Sequence, residues 1–117
     1  MISRSQRRAW GLVGGLALTL TATAVAASLQ PVVRDIAQRA IRFAQPQAFV
    51  KVGDVIRYHN QDDVTHNLMV IGADDIPQDQ GLQPPGALVS HKFNEAGTFE
   101  VRCAIHPKMK MTVTVTQ

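Results

Sequence analysis

The stretch from Thr98 to Thr116, TFEVRCAIHPKMKMTVTVT, reads as two strands with a hook between them. In TFEVRC the residues Phe99, Val101 and Cys103 share one face while Thr98, Glu100 and Arg102 share the other. That period-2 alternation marks a half-buried strand. MTVTVT repeats the pattern with Val113 and Val115 inward. Between them, CAIHPKMKM holds the chain's only cysteine, one of its four histidines and two of its four methionines. Cys103 therefore stands at the inward end of a strand. His106 follows in a loop whose direction Pro107 restrains, and Met109 comes three residues later.

Working backward, the same grammar recurs. Ile41 to Phe43, Ala48 to Val52 and Val55 to His59 are short β-rich pieces broken by Pro46 and by the turn signal Gly53-Asp54. His66 to Ile71 follows, with His66, Leu68 and Val70 on one face. The polar run GADDIPQDQGLQPPG, with its acids, glycines and Pro84-Pro85, predicts irregular structure until about Ala87. Strand resumes from Val89 to Phe93 and turns through NEAG. Six to eight short strands and no convincing helix beyond the N-terminal stretch predict an all-β Greek-key sandwich or barrel.

The N-terminal part reads as an export signal. Arg4, Arg7 and Arg8 precede the uncharged run WGLVGGLALTLTATAVA, Trp10 to Ala26, followed by small residues suited to cleavage. The expected organisation is a signal helix over 1–27, a weakly patterned lead-in over 28–38 and one domain over 39–117. The apolar run is short and diluted by glycine and threonine for a membrane span, so none is expected once the signal is cleaved. Arg7-Arg8 also resembles a twin-arginine signal, but the general secretory route into the periplasm is the expectation.

Charge supports a narrow range of functions. The chain has twelve basic and nine acidic residues, and losing the leader's three arginines leaves nine of each. A balanced mature chain without an aromatic-interleaved basic stripe predicts no nucleic-acid partner. A small exported domain is often braced by disulfides, yet Cys103 has no partner within the chain. Its sulfur is then buried, paired with another chain, or held by a metal.

The neighbours of Cys103 favour the metal. A thiolate, an imidazole and a thioether at this spacing can wrap one ion, and a second imidazole from a distant strand would complete the set; His66 is the natural donor. Two imidazoles and a thiolate suit both oxidation states of copper, and a weak thioether leaves the geometry between their preferences. A closed zinc site is a poorer match, because a thioether is an unusual zinc ligand. Met109 and Met111 share the parity of inward Val113, so alternation cannot separate them as axial donors. The turn at Pro107 favours Met109, with Met111 filling the start of the last strand. His59 faces outward by parity. His91 shares a face with Val89 and Phe93 and is expected to be partly buried but remote from the metal. Asp62, Asp63, Asp74, Asp75 and Asp79 read as solvated loop acids.

His66-Asn67, EAGTFEVRC, the C-x2-H-P-x-M pattern and the TVTV strand resemble the cupredoxins, the type 1 (blue) copper family. VKVGDVIRYHNQD before His66 extends the likeness to 41–117. The Cys-His and His-Met spacings resemble the short amicyanin-type ligand loop rather than the longer plastocyanin-type one, and GLQPPG adds a likeness to small periplasmic methylamine-utilisation copper proteins. The resemblance implies one copper ion held by His66, Cys103, His106 and the axial Met109, with Met111 as the alternative axial ligand. It also implies that Asn67 stiffens the site by hydrogen bonding and that His106 is the port for electrons. The implied function is a soluble, monomeric periplasmic one-electron carrier between redox partner proteins, in methylamine oxidation, rather than an enzyme. A periplasmic copper chaperone or storage module is the alternative, since the same residues would serve it.

Overall fold

The computed structural model describes residues 11, 14–23 and 30–117. Nine strands form within them: β1 Val33–Arg39, β2 Arg42–Phe43, β3 Gln47–Lys51, β4 Val55–Asn60, β5 His66–Ile71, β6 Pro77–Gln83, β7 Leu88–Lys92, β8 Gly97–Arg102 and β9 Lys110–Thr116. They make two mixed sheets, in the orders β2-β1-β4-β7 and β3-β9-β8-β5-β6. The pairs β1/β4 and β3/β9 are parallel and the remaining pairs antiparallel. The sandwich expected from the sequence is what forms.

Alternation explains the core. Ile56 and Tyr58 of β4, Leu68 and Val70 of β5, Val101 of β8 and Val113 and Val115 of β9 all turn inward and are buried. Each such side chain contributes about 1.5–3 kcal/mol by leaving water. Cys103, Met109 and Met111 belong to the same buried cluster.

Three sequence expectations need correction. The segment 28–38 is not merely a lead-in: β1 begins at Val33 and lies between β2 and β4, with Ile36 and Gln38 buried. Its charged and amide residues disguised a strand whose partners lie elsewhere in the chain. The polar run after β5 is not irregular either, since Pro77–Gln83 pairs with β5 as an edge strand. Edge strands tolerate proline and outward polar residues. Third, residues 11 and 14–23 of the expected signal helix are not helical, and Leu16, Leu18 and Leu20 stand exposed. Glycine and β-branched threonine lower helix propensity there, and a short helix without tertiary packing is marginal in water. The rest of the expected signal, with Arg4, Arg7, Arg8 and the cleavage region, lies outside the described residues. Among the described residues, no helix is long and apolar enough to cross a membrane.

Two features fix the end of the sandwich where His66 stands. A buried amide relay joins the sheets: Gln38 Nε2 donates to Gln83 Oε1 at 2.8 Å, and Gln83 Nε2 donates to the Tyr58 carbonyl at 3.2 Å. Asn60 Nδ2 donates to the Gln83 carbonyl at 2.8 Å, fixing the β6 end that pairs with His66. The β5/β6 register also slips between Asn67 and Met69, which face Leu82 and Asp79. The extra β6 residue is accommodated at Gly81, where φ is 97°. Such a bulge re-aims neighbouring side chains.

Candidate metal centre

β5 and β8 are antiparallel neighbours with Met69 opposite Arg102. The start of β5 and the residue after β8 therefore meet at one end of the sheet, which puts His66 beside Cys103. The chain then turns back on itself: the Met109 amide donates to the His106 carbonyl at 2.9 Å, and the Cys103 amide donates to the Met109 carbonyl at 3.0 Å. This clasp points the His106 ring back toward the strands. His66 Nδ1 and His106 Nδ1 lie 3.2 Å apart, and Cys103 Sγ lies 3.7 Å from His106 Nδ1. One donor atom from each of the three residues falls within 4.8 Å of the others.

These spacings fit a shared ion. Donors at metal–nitrogen and metal–sulfur distances near 2.0 and 2.3 Å in a tetrahedron lie roughly 3.3 Å apart for N···N and about 3.5 Å for S···N. Thiolate with two imidazoles is also a donor set suited to copper. The residues fit the group that the sequence implied. Met109 closes the loop and is 1% exposed. Met111 lies within β9 opposite Val101 and is buried in the core.

Around the three donors stands a hydrogen-bonded frame. The Asn67 amide donates to Cys103 Sγ at 3.3 Å, and Asn67 Oδ1 accepts from the Ala104 amide at 3.3 Å. Asn67 Nδ2 donates to Asp79 Oδ1 at 2.7 Å and to the Gly81 carbonyl at 3.3 Å. The bulge thus brings Asp79 to Asn67, and Asn67 joins the two ligand-bearing segments. On the other side, Asp62 Oδ2 accepts from His66 Nε2 at 2.7 Å. Burial pushes the Asp62 carboxyl upward, but hydrogen bonds from His66 and from the amides of Ile41 and Ala40 outweigh it and hold the group below its ordinary range.

Access is one-sided. His66 and Cys103 are 0% and 1% exposed, whereas His106 is half-buried. Ile41, Pro107 and Lys108 line an open depression beside His106. His59 is half-buried on β4, with Nδ1 3.2 Å from Gln61 Nε2. His91 is half-buried against Phe93, its Nδ1 3.2 Å from Gln80 Oε1, and burial lowers its pKa. Neither belongs to the three-residue cluster.

The sequence does not show the partners of Asp62 and Asp79: Asp79 is exposed, as expected of it, yet holds Asn67, whereas Asp62 is half-buried against His66. Nothing in their own spacing reveals Asp79, because a bulge presents it. Asp62 carries a weak signal, standing four residues before His66 in a turn where its amide donates to Asn60 Oδ1 at 3.0 Å.

Residues 31–116 match the family model described as copper binding proteins, plastocyanin/azurin family. The chain is 31% identical over 104 residues to the methylamine utilization protein MauL of Methylorubrum extorquens, spanning 89% of this chain and 90% of that one. It is 31% identical over 88 residues to amicyanin of Paracoccus denitrificans, spanning 72% of this chain and 64% of that one. Among solved structures, a reduced tryptophan-to-tyrosine variant of amicyanin superposes with a TM-score of 0.62 at 29% identity, over 73% of this chain and 81% of the other.

Proposed function

This chain belongs to the plastocyanin/azurin family of copper binding proteins, small carriers of single electrons, and we propose that it serves methylamine oxidation in the periplasm, its copper held by His66, Cys103, His106 and axial Met109. The observation that carries the ligand assignment is the convergence of His66 Nδ1, His106 Nδ1 and Cys103 Sγ at the buried end of β5 and β8. Copper supplies a one-electron couple whose two states prefer different geometries. The chain's own part is to keep the donors still: Asn67 and Asp62 hold the sulfur and one imidazole from behind, so little has to move when the charge changes. Three protein donors with a thioether leave no open position for a substrate, unlike a catalytic metal site. His106, half-buried beside an apolar depression, carries electrons between site and surface. Lys108 and Lys110 flank Met109 and steer an acidic redox partner toward that imidazole. Delivery of copper as cargo is the weaker reading, because exchange calls for accessible ligands and His66 and Cys103 are almost wholly buried.

The pathway reading draws on the relative named for methylamine utilization. The compartment reading draws on Arg4, Arg7 and Arg8 before an apolar run.

Copper titration tests the proposal. One equivalent of Cu(II) is expected to give an intense blue thiolate charge-transfer band and reversible one-electron voltammetry, and Cys103→Ser to abolish both. A colourless complex that readily surrenders its copper would overturn the carrier reading. Reduction of the blue form by a methylamine-oxidising dehydrogenase from the same organism checks the pathway, and N-terminal sequencing of the periplasmic protein, expected to begin near Ser28, checks export.

A further inference from the structure

The turn between β1 and β2 is strained where no ordinary turn residue relieves it. Ala40 and Ile41 sit at φ 52° and 56°. A two-residue hairpin with both central residues left-handed favours asparagine and glycine, and a β-branched residue is a poor occupant of that region. Each such residue costs of order 1–3 kcal/mol and persists only where its surroundings over-determine it. Here the surroundings are one side chain: Asp62 Oδ1 accepts from the Ala40 amide at 2.6 Å, and Asp62 Oδ2 from the Ile41 amide at 3.0 Å. The same Oδ2 accepts from His66 Nε2 at 2.7 Å. The Asp62 side chain is itself 10% exposed.

We propose that Asp62 is a positioning residue shared by two structures, holding the His66 ring so that Nδ1 faces Cys103 and His106 while fixing the strained Ala40-Ile41 turn at the rim of His106. A hydrogen bond from a ligand imidazole to a carboxylate sets both the tautomer and the orientation of the ring. With its proton on Nε2, His66 leaves the Nδ1 lone pair bare, and His106 Nδ1, 3.2 Å away, donates to it in the metal-free protein. Ile41 lines the depression beside His106, so the buried imidazole and the exposed rim hang from one oxygen atom. Displacing either pulls on the other through Asp62.

The inference rests on the ligand assignment above, and its test does not depend on electron transfer. In metal-free wild-type protein, nitrogen NMR is expected to show the His66 proton on Nε2. In Asp62→Asn, affinity for Cu(I), measured by competition with a chelator, should fall ten- to a hundredfold. Exchange of the Ile41 amide should quicken roughly tenfold in the same variant. A His66 proton on Nδ1 in the wild type would overturn the proposal, and this measurement stands even if Asp62→Asn does not fold. A folded variant with unchanged Cu(I) affinity would overturn it too. If only one of the two sites responds, the shared anchor is refuted. A wild-type complex that is not blue but still loses Cu(I) affinity on Asp62→Asn would refute the carrier reading and leave this one standing.

Discussion

Asn67 grips Cys103 through its main chain and the next residue through its side chain: its amide donates to Sγ at 3.3 Å while Oδ1 accepts from the Ala104 amide at 3.3 Å. Any residue except proline retains the first bond, but the second needs the carboxamide. Asn67→Ala is therefore expected to keep the blue band while costing about 1–3 kcal/mol of stability, because its side-chain bonds to the Ala104 amide, Asp79 and the Gly81 carbonyl are lost. Denaturant unfolding of the metal-free protein reads the loss, and an unchanged midpoint would show that Asn67 only fills space.

The two methionines should separate by what they change. Met111 occupies β9 opposite Val101, so Met111→Leu, nearly volume-conserving, should cost less than about 1.5 kcal/mol and leave the spectrum alone. Met109→Leu should be equally mild for folding yet raise the reduction potential, since the axial donor tunes it. Voltammetry of both variants decides, and the reverse pattern would make Met111 the axial ligand.

Reversing the charge of Lys108 and Lys110 together should slow electron transfer at low ionic strength and have little effect at high salt, where a short Debye length hides surface charge. Stopped-flow rates across a salt series measure it. A rate that ignores the double substitution removes both lysines from partner steering.

Acid should loosen the turn that joins β3 to β4. Asp54 Oδ2 accepts from the Lys51 amide at 2.8 Å and Oδ1 from the Val32 amide at 2.9 Å. Those bonds, Lys51 first and then Val32, hold its pKa below the ordinary 3.8. A carboxyl depressed in the folded state stabilises fully above the unfolded value, and that contribution disappears as pH falls through the folded one. Asp54→Asn should therefore be less stable than wild type at neutral pH, the gap closing below about pH 4. Urea midpoints across pH check it, and a pH-independent gap would refute the mechanism.

The legible parts of the molecule were those whose physics is local. Alternation in TFEVRC and MTVTVT exposed β8 and β9, and the offsets from Cys103 to His106 and Met109 exposed the hook. His66 could be named because it opens an inward face. β1 stayed hidden because it is partnered across the sheet by β4, and its buried Gln38 donates to Gln83, a bond that no run of adjacent residues displays. β6 was obscured by Pro77, Asp79 and its glutamines, all acceptable on an edge. The bonds of Asp62 and Asp79 stayed hidden because their partners come from β5 and, for Asp62, from the β1–β2 turn. A carboxylate's purpose depends on what folding carries to it.

Of the four residues proposed to hold the ion, His106 alone reaches solvent. On that proposal, incoming charge and departing metal share a single doorway. A partner seated over that imidazole would lock the ion inside for as long as it stays, so traffic in electrons and turnover of metal would be mutually exclusive events, and a carrier at work would be protected from demetallation by the very encounter that drains or fills it.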